Sequence, residues 1–113
     1  MLTSAEIQNR LERILLMVEK PGRYVGGELN ITLKDWDQIR TKAAFVFPDI
    51  YDIGVSNVGL KILYDQVNQR GDALAERAYS PWTDMEAQMR EHAIPLYTLE
   101  SKRPLAGFDL IGF

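Results

Sequence analysis

The feature that most constrains this chain is the stretch Ala43–Asn68, AAFVFPDIYDIGVSNVGLKILYDQVN. Ala43 to Phe47 is an unbroken apolar run, as in a strand covered on both faces, and Pro48 ends it because proline brings no N–H to a ladder. A helical pattern then begins near Ser56, read as its cap. Leu60, Leu63, Tyr64 and Val67 fall on one face at i, i+3, i+4 and i+7. Gly71 closes it, where a left-handed glycine commonly follows a helix. A doubly covered strand running into a helix is the first half of a right-handed crossover in a parallel sheet, and such sheets bind ligands beyond the carboxyl ends of their strands. The loop Pro48–Val55 is therefore where chemistry is expected.

Composition sets the outer limits. At 113 residues the chain is one domain by length. A net charge of -3 gives no basic footprint for nucleic acid. No apolar run approaches the ~20 residues of a membrane helix, and the amino terminus lacks the shape of a signal peptide. The chain has no cysteine, which excludes a disulfide framework, a thiolate metal site and an iron–sulfur cluster on these residues. Together these favour a cytoplasmic protein with no nucleic-acid or membrane partner.

Before the central unit, Thr3-Ser4-Ala5-Glu6 forms a capping box, and Ile7, Leu11, Ile14, Leu15 and Val18 line one face of a helix from Ser4 to Lys20. Leu16 and Met17 widen that face, and Pro21 and Gly22 stop the helix. The glycine-rich segment Pro21–Asn30 is read as a chain reversal, because no lysine with a Ser/Thr follows it as in a phosphate loop. Trp36 is expected to anchor the polar linker that follows. After the unit, Ala73–Tyr79 reads as a second strand, nearer a sheet edge because Glu76 and Arg77 interrupt it. Thr83–Glu86 is a second capping box, opening a helix to His92 with Met85, Met89 and Ala93 one turn apart. Leu96–Leu99 is a short strand candidate. The closing FDLIGF has the pattern of a buried parallel strand, so the sequence is expected to be the front of a longer polypeptide, with Phe108, Ile111 and Phe113 partly uncovered.

The loop itself carries Asp49-x-Tyr51-x-x-Gly54. Cobalamin-binding domains carry Asp-x-His-x-x-Gly at the corresponding place, where the histidine ligates cobalt and the aspartate orients it. With Tyr51 in the histidine's position, the backbone pattern is kept while the ligand is a phenol, a poor donor to cobalt at neutral pH. Gly54 and Gly59 would let a flat ligand approach the backbone. The candidate cofactor-binding residues are thus Asp49, Tyr51, Asp52, Gly54, Ser56 and Gly59. The competing reading is that Asp49 and Asp52 only cap the loop and the helix start. His92, the single histidine, sits at a helix end with no second ligand type beside it. Arg23, Lys102 and Arg103 read as solvated charge that could also meet an anion.

The strings FVFPDIYDIGVSNVGLKILYDQVN, LAERAYSPWTDMEAQM and IPLYTLESKRPLAGFDLIGF, with VEKPGRYVGGELN before them, resemble the amino-terminal region of a radical S-adenosylmethionine protein family. Its members carry a cobalamin-binding-like domain ahead of the radical barrel. The resemblance implies a parent enzyme that cleaves S-adenosylmethionine at a [4Fe–4S] cluster held by a Cys-x-x-x-Cys-x-x-Cys motif. That motif is absent from this chain, so radical chemistry is assigned to the downstream barrel of the same polypeptide and no catalytic or metal-binding residue to this one. The expected fold is α/β: an incomplete Rossmann-like (flavodoxin-like or cobalamin-binding-like) parallel sheet with strands in the order 2-1-3 and an N-terminal helical appendage. Residues 1–40 are expected to form the helix and glycine-rich linker, and 41–113 a partial cobalamin-binding-like domain. Two functions follow: a cobalamin-binding-like or substrate- and partner-facing domain of a radical enzyme, or a non-catalytic interaction module that docks another domain or protein.

Overall fold

The computed structural model describes residues 1–28 and 31–113. Its elements are α1 (Ser4–Ile14), β1 (Thr41–Phe47), α2 (Tyr51–Gly54), α3 (Val58–Asn68), β2 (Ala73–Tyr79), α4 (Thr83–Glu91) and β3 (Leu110–Gly112), joined by 3-10 turns. The three strands form one parallel sheet in the order β2-β1-β3, with Ala43 opposite both Ala75 and Leu110. This is the expected open α/β sheet. The two charged residues of β2 fall on the strand at one end of the order. Residues 29 and 30 of the glycine-rich segment lie outside the described residues.

Because side chains alternate across a strand, Ala43, Phe45 and Phe47 share a face with Ala75, Arg77 and Tyr79. α3 lies on this face through Tyr64, whose ring sits under the Arg77 guanidinium at 5.1 Å. The opposite face carries Ala44, Val46, Leu74, Glu76 and Ala78, all buried. The segment after α4 covers it and seats Thr98 and Ser101 on Glu76. α1 packs through Ile7, Leu11 and Ile14 onto Met85 and Met89 of α4, and this cluster reaches the sheet at Tyr79. The methionines are core, as their one-turn spacing suggested. Among the described residues no helix is long and apolar enough to cross a membrane.

Several local expectations need correction. The cap of α3 is Asn57, whose Oδ1 accepts from Leu60 N at 2.8 Å; Ser56 lies one residue outside and donates to Ile53 O. A separate turn of helix, α2, intervenes because Gly54 and Val55 N–H bond back to Ile50 and Tyr51 carbonyls. Leu63 is half exposed and does not join the face of Leu60 and Tyr64. Gly71 is not left-handed: α3 ends on a right-handed Gln69. α1 stops its α-geometry at Ile14 and tightens, which turns Leu16 and Met17 outward at 93% and 64% exposure. Thr83 is the first residue of α4 and caps nothing; Asp84 instead accepts from Met85 N and Glu19 N. Leu96–Leu99 is not a strand and makes a single bridge, Tyr97 to Pro104. Ile111 and Phe113 are uncovered at 44% and 90%, but Phe108 is buried because its ring meets Trp36 edge-on at 5.0 Å. Trp36 does anchor its linker: Arg103 covers its ring at 4.1 Å, so that charge is not simply solvated.

Candidate functional site

The loop after β1 and the loop after β2 meet at the carboxyl end of the sheet, where Ser80 N donates to Asp49 O at 2.9 Å. Asp49 is exposed and its carboxylate accepts from Ile50 N at 2.7 Å, which fixes the turn into α2. Asp52 forms a forked pair with Arg23 at 3.0 and 3.2 Å, with Lys20 further off at 3.7 Å. The hydrogen bond from Arg23 holds the Asp52 carboxyl below its ordinary range. This pair ties the loop to the turn that follows α1. Ser56 and Gly59 are exposed on the outer side, and a Cβ at Gly59 would meet only Asn57 Oδ1 at 3.3 Å. Gly54 is buried, and the Tyr79 ring occupies the space in front of its Cα.

Tyr51 turns inward. Its ring stands edge-on to Tyr79 at 5.4 Å, and its hydroxyl donates to the Glu28 carboxylate. Burial first, and then the bond and charge of Glu28, push the phenol up to about 12. Glu28 in turn accepts from Arg77 Nη2 at 2.6 Å. Arg77 Nε donates to Glu100 at 2.8 Å, and the same carboxylate accepts from Arg77 N at 2.9 Å. The Glu100 side chain is fully buried. Burial pushes Glu100 above its ordinary range, and the Arg77 charge only partly offsets this. Burial acts on Glu28 in the same direction, but the hydrogen bonds from Arg77 and Tyr51 outweigh it and hold Glu28 low. Burial would depress Arg77; its two carboxylates more than reverse that and raise it.

This Tyr51–Glu28–Arg77–Glu100 chain escaped the sequence reading, which treated Glu76 and Arg77 as marks of an edge strand. The missed signal is their adjacency within a parallel strand. Neighbouring strand residues point to opposite faces, so each must find its own buried partner. Glu76 finds Thr98 and Ser101 on one side, and Arg77 finds Glu28 and Glu100 on the other. Lys102, read as a free cation, donates through Nζ to Val25 O at 2.7 Å and so closes the glycine-rich segment onto the chain after α4. His92 caps α4 and its Nδ1 lies 2.9 Å from Gln88 O, a helix-end role. Among the described residues no three His, Cys, Asp or Glu side chains gather as a metal site.

The six loop residues thus do not converge on one ligand space. Asp52, Ser56 and Gly59 face outward, while Tyr51 and Gly54 are taken up by Glu28 and Tyr79. The open space lies beside them, a cavity of about 360 Å³ between β2 and α3, bordered by Glu28, Leu60, Lys61, Tyr64, Arg77 and Tyr79.

Residues 59–113 match the family model described as radical SAM proteins, N-terminal. The match runs from α3 to β3, 55 of the 113 residues. No curated protein and no solved structure matches the chain.

Proposed function

We propose that this chain is the amino-terminal domain of a radical S-adenosylmethionine enzyme, and that the β3 side of its sheet faces the catalytic barrel of the same polypeptide. The observation that carries the reading is the family match across residues 59–113. The sheet supplies the physical reason for placing the seam at β3. Parallel sheets are normally covered on both faces. Here Leu110 and Ile111, on the strand at the end of the order, stand 61% and 44% exposed, and Phe113 just past it 90%. A further domain over them would remove apolar area from water. The [4Fe–4S] cluster and S-adenosylmethionine belong to that barrel, where the cluster supplies the electron that cleaves S-adenosylmethionine. With no cysteine, the present residues offer the cluster no thiolate.

A corrinoid does not fit the loop after β1 as it stands. The side chain at the histidine position is a phenol that donates to Glu28, and the face of Gly54 is filled by Tyr79. The loop's role in this reading is therefore to hold β1, α2 and the glycine-rich segment together beside the substrate- or partner-facing surface.

Hydrogen exchange tests the seam. In the longer polypeptide, amides of residues 108–113 should exchange about tenfold or more slowly than in this chain alone, since covered edges are protected. Equal exchange would remove the docking, and a downstream coding sequence without a three-cysteine motif would remove the radical enzyme. Mixing with hydroxocobalamin should leave the visible spectrum unshifted and the pigment unretained on gel filtration.

A further inference from the structure

The cavity between β2 and α3 has a feature that packing alone does not require. Its inner wall is the guanidinium of Arg77, whose side chain is 12% exposed and which is held by two carboxylates of unequal standing. Glu100 is the fixed partner: fully buried, and bonded to both the side chain and the backbone N–H of Arg77. Glu28 is the looser one. Its side chain is 28% exposed, and it follows Gly26 and Gly27, both at positive φ. Glu28 takes only Nη2, and among the described residues no acceptor meets Nη1. Glu28 also accepts from the Tyr51 hydroxyl, so leaving its seat breaks that bond as well. A planar fork with one arm on a partly exposed carboxylate and one arm open is the geometry that receives a carboxylate.

We infer that this cavity binds a small organic carboxylate with an apolar or aromatic body, and that Glu28 occupies its anion seat while the cavity is empty. This stands independently of the reading as a radical-enzyme domain. Charge selects the class. With Glu28 swung out to water, the charges of Arg77 and Lys61 balance those of Glu100 and Asp65, so a monoanion does no more than restore the single negative charge that Glu28 supplied. A dianion such as phosphate would be left with excess charge beside the buried Glu100. The walls select the body: Leu60 and the rings of Tyr64 and Tyr79 border the space. Its volume of about 360 Å³ is at the small end for molecular pockets, which span roughly 300–1,000 Å³. The entry step is an exchange of one carboxylate for another on Arg77, so the resident Glu28 keeps affinity modest.

The test is a two-dimensional NMR titration of this chain with benzoate, following the amides of Lys61 and Tyr64 and the Arg77 Nε–Hε resonance. Saturable shifts are expected with benzoate and not with benzyl alcohol, which has the ring without the charge, nor with inorganic phosphate. Glu28→Gln removes the competing charge from a partly exposed side chain and should tighten benzoate about tenfold, the scale of one charge-assisted hydrogen bond. Lys61→Gln, on the exposed side of α3, should weaken it several-fold. Absence of saturable shifts in Glu28→Gln, an unchanged dissociation constant in that variant, or equal shifts with benzyl alcohol or phosphate would each overturn the assignment. Arg77→Met is the less useful probe, because it strands Glu100 without its counter-ion.

Discussion

Gly54 backs directly onto the ring of Tyr79: a Cβ at position 54 would stand 2.4 Å from Tyr79 Cε1 and 2.9 Å from Phe47 Cδ1. Those are separations that real side chains do not reach, and the obstacles are two aromatic rings at the carboxyl ends of β1 and β2. Gly54→Ala should therefore cost about 1–3 kcal/mol through overpacking. Gly71 is the contrast, since a Cβ there would meet nothing within 4 Å and its φ is not left-handed. Gly71→Ala should gain up to about 1 kcal/mol by narrowing the unfolded ensemble. Urea unfolding of the two variants side by side checks both signs.

The end of α4 offers a stabilising change. Ile94 N donates to Met89 O at 2.8 Å and Ala93 N to Arg90 O at 3.4 Å, the two bonds of a Schellman motif, with Ala93 left-handed at φ 53. Glycine is the usual residue there, because a Cβ in that conformation costs roughly 1–2 kcal/mol. Ala93→Gly should raise stability by about 1 kcal/mol, read as a higher urea midpoint at unchanged slope.

The same turn shows what the sequence could and could not reveal. The apolar run Ala43–Phe47 and the face of Leu60 and Tyr64 are one-dimensional patterns, so the parallel sheet with α3 against it was legible. The order β2-β1-β3 agrees with the flavodoxin-like order expected by analogy, which no pattern of residues dictates. The end of α4 near His92 was legible too, but its left-handed turn was not, since an alanine in that conformation leaves no mark in the sequence. The loop Asp49–Gly59 was found at the carboxyl end of β1. Its partners were not, because Glu28 and Glu100 lie 23 residues before Tyr51 and 23 after Arg77. Only the folded chain brings them together.

Glu28 and Glu100 should differ sharply when removed. Glu100→Ala leaves Arg77 buried without its inner partner and should cost about 3–5 kcal/mol, whereas Glu28→Ala, at a partly exposed site, should cost about 1 kcal/mol. Their pH signatures also oppose. Glu28 is depressed by folding, so its contribution is present above the ordinary carboxylate range and is lost as pH falls through its lowered pKa. Glu100 is raised, so it favours the folded state below that range and loses this as pH rises through its raised pKa. Stability measured against pH should therefore lose part of its acid-side fall in Glu28→Gln. It should lose part of its decline above the carboxylate range in Glu100→Gln.

Tyrosines set the alkaline limit. Tyr51 and Tyr64 are each pushed up to about 12, first by burial and then by Glu28 and Glu100 respectively. A phenol whose folded pKa exceeds its unfolded value of about 10 stabilises the fold while both states are protonated. That contribution is lost between pH about 10 and about 12, where the unfolded chain has already released the proton. The native chain should show incomplete phenolate absorbance near 295 nm at pH about 11, and rapid completion on addition of urea. Tyr51→Phe should flatten the alkaline fall in stability. It should also raise the Glu28 pKa, because the carboxylate loses a donor that helps hold it ionised. A Glu28 carboxyl resonance that titrates identically in the parent and in Tyr51→Phe would show that the phenol–carboxylate contact does not couple the loop after β1 to Arg77.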